Sequence, residues 1–197
     1  MTEKQIERIK KKIRSCRAQL SAEKRKYGAY DDSRRIRYII PELYLKLEDY
    51  QGCLRYFKWF QKEFIDDCGF PDFLLQWTFV MFQNKKYDLA EKKLYETFFS
   101  NTYLIPLLIG DDIGKIENPE TISTERIEFA KEVIAESSKI ITEDFKSWLK
   151  EISKAELFAQ RIRDFIGLQK LIEEEPVGQS RTDLIRAEME FVKTIIY

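Results

Sequence analysis

Three pairs of adjacent carboxylates are the first residues that could do chemistry: Asp31-Asp32, Asp66-Asp67 and Asp111-Asp112. Neighbouring acids can share acid–base work or hold a divalent cation. Each pair sits at turn signals, where Asp caps helices and bonds the local backbone, and no calcium-loop spacing surrounds any of them. Capping is the expected role. The thiols are Cys16, Cys53 and Cys68. An odd number without C-x-x-C spacing argues against a disulfide framework or a zinc site and predicts three small core residues kept reduced. The sequence has no histidine. That removes the commonest general base, the usual partner of a Ser or Cys nucleophile, and the commonest metal ligand. P-loop, G-x-G-x-x-G and G-x-S-x-G motifs are missing too. The expectation is a protein that is not an enzyme and takes no cofactor and no metal.

Charge offers a second candidate. Lys4, Arg8, Lys10, Lys11, Lys12, Arg14, Arg17, Lys24, Arg25 and Lys26 face only Glu7 and Glu23 in the same stretch, and Arg34, Arg35 and Arg37 follow. Such a segment could contact the phosphate backbone of a nucleic acid. The favoured reading is a solvated helix face whose apolar stripe caps its neighbours or pairs with a second copy in a homodimer, since no nucleic-acid motif accompanies it.

These residues must be positioned by helices. The chain has 197 residues, 44% hydrophobic, with 34 basic against 34 acidic side chains. It can bury a real core, and its balanced charge selects no partner. Only 7 Gly and 5 Pro are present, too few turn residues for an all-β chain. The N-terminus lacks an apolar signal-type segment, and the longest nearly apolar run, Tyr103 to Gly110, is too short to cross a bilayer. No membrane contact is expected, and cytoplasm is the expected location.

Ile6, Ile9, Ile13, Cys16, Leu20 and Tyr27 recur at three- and four-residue steps and predict a helix over 3–27. Further helices are expected at 34–47, 50–64, 71–83 and 87–100, with Pro41 near a first turn or at a kink. Gly110, Asp111-Asp112, Gly114, Asn118 and Pro119 mark 111–121 as a linker. Beyond it, Ser123 or Thr124 can cap a helix to Ser138, and Thr142 one through Leu149. Ser153 has capping-box spacing for a helix to Glu175, Pro176-Val177-Gly178 breaks it, and a last helix spans 182–196. Short turns make neighbours antiparallel hairpins. The expected organisation is all-α: a basic amphipathic helix (1–30), helical repeats (31–110), the linker, and C-terminal helices (122–197) that pack on or cap the repeats.

The repeat is visible in two strings. Tyr50, Cys53 and Phe57 follow the polar turn Leu47-Glu48-Asp49, and Tyr87, Ala90 and Leu94 follow Asn84-Lys85-Lys86, an offset of 37 residues. A polar turn, Tyr, a small residue three on and a bulky one four later resembles the second helix of a tetratricopeptide repeat, whose period is about 34 residues. Arg35 to Glu42, Tyr56 to Phe60 and Asn101 to Gly110 together look like a group of small bacterial tetratricopeptide-like proteins. The resemblance covers about 34–110. The Gly of the first helix is replaced by Pro41 and Thr78.

The resemblance implies a short superhelix of stacked hairpins with a concave groove lined by each first helix. By position this exposes Arg35, Tyr38, Glu42, Lys46, Gln76, Phe79 and Gln83 to a peptide or helix of another protein. The Lys/Asn carboxylate clamp of chaperone-binding members does not occur at these positions. Most of the aromatic stripe from Tyr56 to Phe99 is expected in the core. An immunity- or antitoxin-type neutralising protein is a second reading, and a nucleic-acid-associated protein using helix 3–27 a third.

Overall fold

The computed structural model describes residues 1–31, 34–111 and 122–196. Asp32, Ser33, Asp112, Gly114, Asn118, Pro119 and nearly all of the expected linker 111–121 lie outside the described residues. The fold is all-α, and among the described residues there is no strand. The helices are α1 (Glu3–Tyr27), α2 (Ile36–Lys46), α3 (Tyr50–Glu63), α4 (Pro71–Gln83), α5 (Tyr87–Ser100), α6 (Leu104–Ile109), α7 (Ile127–Ser137), α8 (Glu143–Lys154), α9 (Glu156–Glu174) and α10 (Gln179–Ile196), with a 3-10 turn at Ser123–Glu125. They form two units. The first comprises Met1–Gly69 with Gln83–Lys85, and the second Phe70–Phe82 with Lys86–Tyr197. The division after Gly69 falls between the two expected repeats, although Gln83–Lys85, in the turn of the second, groups with the first unit.

In the first unit, α1 starts on a capping box. The Thr2 hydroxyl accepts from Gln5 N, and the Gln5 side chain accepts from Thr2 N at 2.8 Å. Gly28 ends the helix at φ 68, a left-handed conformation that costs glycine nothing. Ile13, Cys16 and Leu20 are buried, and Arg17 donates to the Tyr44 hydroxyl of α2 at 3.3 Å. Arg35 is left-handed (φ 50), so α2 begins at Ile36 and not at 34.

Pro41 lies inside α2 and brings no N–H. The carbonyl four residues back, Arg37, loses its helical donor. The Tyr56 hydroxyl of α3 supplies one instead, at 2.6 Å. Tyr38 meets Phe60 (6.0 Å) and Tyr44 meets Tyr56 (6.5 Å), so α2 and α3 run antiparallel.

The offset of 37 persists in the backbone. Glu48 (φ 55) and Lys85 (φ 57) are both left-handed, which is uncommon for residues with a side chain. Asp49 (φ −83, ψ 70) and Lys86 (φ −100, ψ 62) follow as N-caps, and Tyr50 and Tyr87 open α3 and α5. Cys53, Phe57, Ala90 and Leu94 are all at 0% exposure. The small and bulky positions therefore carry the packing. Tyr50 is half-buried, whereas Tyr87 is exposed beside Phe82 at 5.7 Å.

In the second unit, α4 and α5 meet through buried hydroxyls. Thr78 and Thr97 are 3.0 Å apart, and Lys93 lies 4.1 Å from the centre of the Trp77 ring. The C-terminal helices pack on α5: Tyr95 against Phe158 (4.8 Å), Phe99 against Phe165 (4.5 Å) and Phe191 (6.5 Å). Phe145 of α8 covers Phe79 and Phe82 of α4, at 5.1 and 5.3 Å. The short α6 closes the region, with Leu104, Ile105, Leu108 and Ile109 buried. Its start is held by the Asn101 carboxamide, which accepts from Tyr103 N and Leu104 N and donates to Thr124 O and Arg126 O.

Three further boundaries differ from expectation. Arg126 caps α7, because Ser123 and Thr124 are wound into the 3-10 turn. Thr142 does cap α8, but α8 runs on to Lys154, so Ser153 lies inside it and Ala155 separates α8 from α9. The last helix starts at Gln179.

Candidate interaction surfaces

Four residues of the expected groove come from α2 or its cap. Arg35 and Lys46 are exposed and Glu42 is half-buried. Tyr38 is not a groove residue: it is 9% exposed, and its hydroxyl donates to the Asp67 carboxylate at 2.6 Å. Arg35 does lie over the Tyr38 ring, 5.9 Å from its centre. In the second unit Gln76 is half-buried. Phe79 is 1% exposed, so the expectation that it lines a groove fails as well. The cover over Phe79 is Phe145 of α8, one of the C-terminal helices expected to pack on or cap the repeats. Gln83 is half-buried.

Sequence reasoning missed the polar node around Asp67. The Arg37 guanidinium pairs with Asp67 Oδ2 at 2.8 Å, with both side chains largely buried. Gly69 N donates to Oδ1 at 2.8 Å, and the Tyr38 hydroxyl lies within bonding distance of both oxygens. Arg37 also covers the Phe64 ring at 4.6 Å. Burial and the Asp67 carboxylate push the Tyr38 hydroxyl up to about 12. The neighbouring Tyr30 donates to Glu63 at 2.8 Å and is likewise raised to about 12, first by burial and then by Glu63. The node fastens 64–69 to α2. A shallow cleft of about 460 Å³ beside it is lined by Arg37, Glu63, Phe64 and Ile65 to Cys68. Three donors, the Arg37 guanidinium, Gly69 N and the Tyr38 hydroxyl, converge on the Asp67 carboxylate and give it a structural role. The one readable signal for it was the Asp66-Asp67 turn, whose expected local bond to Gly69 is present.

Cys16 and Cys53 are buried free thiols, whereas Cys68 is exposed, against the expectation of three core residues. Burial, with Asp49 adding its charge, pushes the Cys53 thiol well up and away from thiolate chemistry. Among the described residues, no group of three or more His, Cys, Asp or Glu is arranged to hold a metal. No helix among them is long and apolar enough to cross a membrane.

The cations of α1 form the other surface. Glu7 pairs with Lys10 at 3.4 Å and reaches Arg14 at 4.0 Å on one side of the helix. Arg8, Lys11, Lys12 and Ser15 lie on the other side, where with Ile9 and Leu43 of α2 they line a cleft of about 410 Å³.

Set against protein-family models, curated proteins and solved structures, the chain matches none. The likeness between its two hairpins is therefore internal: one turn, cap and packing register used twice.

Proposed function

We propose that the chain is a cytoplasmic protein-interaction module of the tetratricopeptide-like kind. Rigid helix hairpins hold a fixed outer surface on which a peptide or helix of another protein docks, without chemistry at the contact. The observation that supports this reading most is the shared register of the two hairpins. Left-handed Glu48 and Lys85 precede matching N-caps, then Tyr50 and Tyr87, then the fully buried pairs Cys53/Ala90 and Phe57/Leu94. Repeated hairpins are a means of presenting surface.

With Tyr38 and Phe79 in the core, the contact residues on α2 become Arg35, Glu42 and Lys46. Site-specific photo-crosslinking from position 46 in native lysate tests this. Discrete protein adducts are expected, and they should disappear in an Arg35→Glu/Glu42→Lys variant that melts at the wild-type temperature. Finding no adduct beyond those of an unrelated helical protein would remove the reading.

A further inference from the structure

The apolar stripe of α1 outruns its cover. Ile13, Cys16 and Leu20 are 6%, 5% and 2% exposed, but Ile6 and Ile9, on the same stripe, are only half-buried. The reason is length. Helix α1 has 25 residues and α2 has 11, so at 1.5 Å per residue α1 is longer by about 21 Å. The Arg17–Tyr44 bond sets the last turns of α2 beside the middle of α1. Ile9 and Ile6 then lie about 12 and 16 Å further toward the N-terminus. The capping box at Thr2 keeps that projecting segment helical to its first turn.

The cleft at this place has an apolar floor, Ile9 and Leu43, and a cationic rim, Arg8, Lys11 and Lys12. The three cations recur at i, i+3 and i+4, so they share one flank of the helix. Among the described residues no carboxylate pairs with any of the three, in contrast to Lys10 and Arg14 on the far side.

We propose that this cleft seats an acidic amphipathic helix from a partner protein. Its leucine-type residues would continue the apolar layer over Ile9 and Leu43, and its carboxylates would face Arg8, Lys11 and Lys12. The inference rests on the interaction-module reading and names the partner's chemistry at a surface different from the α2 face. Charge complementarity selects the occupant. A second copy of α1 would bring cations against cations. A nucleic-acid backbone would satisfy the rim but bury nothing on the floor.

The test is fluorescence anisotropy on the full chain with a labelled helical peptide of about 14 residues, Leu at i, i+3, i+4 and i+7 and Glu elsewhere. The comparison probes are the same peptide with Lys for Glu, and a short RNA duplex. The Glu peptide is expected to bind at least about tenfold tighter than the Lys peptide. Arg8→Glu/Lys11→Glu/Lys12→Glu should weaken it by a similar factor. Lys24→Glu/Arg25→Glu/Lys26→Glu, with the same change in net charge, should weaken it less than about threefold. Ile9→Ser, at a half-exposed site, should weaken it with the rim intact. Equal loss in the two triple variants, a null effect of Ile9→Ser, tighter binding of the RNA than of the Glu peptide, or no binding of the Glu peptide would each overturn the proposal. Such a failure leaves the α2 crosslinks in place, since those variants keep Arg8, Lys11 and Lys12. Absence of those crosslinks would count against the broader reading separately.

Discussion

The hairpins α2–α3 and α4–α5 share the backbone of the turn that opens the second helix and differ in what each does with its first helix. At equivalent places stand Pro41 and Thr78. Pro41 leaves the Arg37 carbonyl without a helical donor, and Tyr56 reaches across the hairpin to satisfy it. Thr78 keeps its N–H. Its hydroxyl bonds back to Leu74 O at 2.9 Å and also meets Thr97 of α5. Both hairpins thus spend a polar group between their two helices, once to repair a break and once to join two intact helices. One residue further along, Glu42 is half-buried and Phe79 is fully covered. A shared register therefore decides where the second helix of each hairpin starts and which of its residues pack inside, but not what covers the outer side of the first helix.

The sharpest way to break this comparison is to truncate that outer position in each hairpin. Phe79→Ala empties a site at 1% exposure against Phe145 and should cost about 3–5 kcal/mol. Glu42→Ala should cost under about 1 kcal/mol. Urea unfolding of both variants measures the difference. Similar losses at the two positions would mean that the register does dictate outer burial.

The next effect is at the Pro41 break. Tyr56→Phe keeps the ring and removes the donor, leaving a buried carbonyl unsatisfied at a cost of about 1–3 kcal/mol. In a Pro41→Ala background the restored N–H can serve Arg37 O, and the same substitution should then cost well under half as much. A double-mutant cycle reads this coupling directly. If Tyr56→Phe costs the same in both backgrounds, the hydroxyl does not stand in for the missing donor.

Much of this was legible in the sequence, for local reasons. Helix spans 3–27, 71–83 and 87–100 follow from apolar periodicity and turn residues, and the repeat follows from Tyr50, Cys53 and Phe57 against Tyr87, Ala90 and Leu94. The groove was not legible. Tyr38 carries a polar tip, and its burial depends on Asp67, 29 residues away, and on Arg37. The burial of Phe79 depends on Phe145 in a helix far along the chain. Both are decided by tertiary partners that spacing within one helix cannot report. The surfaces that survive, Arg35 and Lys46 on α2 and the cationic flank of α1, are those where long charged side chains leave little choice but solvent.

The smallest effect concerns the caps. Asp49 and Lys86 occupy the same position in nearly the same backbone, with ψ 70 and 62. Asp49 accepts from Gly52 N at 2.7 Å, whereas Lys86 makes no side-chain cap. The Gly52 N–H at the start of α3 is therefore bound by its cap, whereas Lys86 offers no such acceptor at the start of α5. Asp49→Ala should lose about 1 kcal/mol. Lys86→Asp should gain about 0.5–1 kcal/mol, because the carboxylate would reach Leu89 N as Asp49 reaches Gly52 N and would also oppose the helix dipole. The two substitutions are read by shifts in thermal midpoint of opposite sign. The outcome also bears on why the first hairpin tolerates a proline. A hairpin with a bound cap and a cross-helix hydroxyl can hold α3 in place without a full hydrogen-bond ladder in α2. If Lys86→Asp gave no gain, the matched dihedrals would not imply matched capping, and the equivalence of the two turns would be one of backbone shape alone.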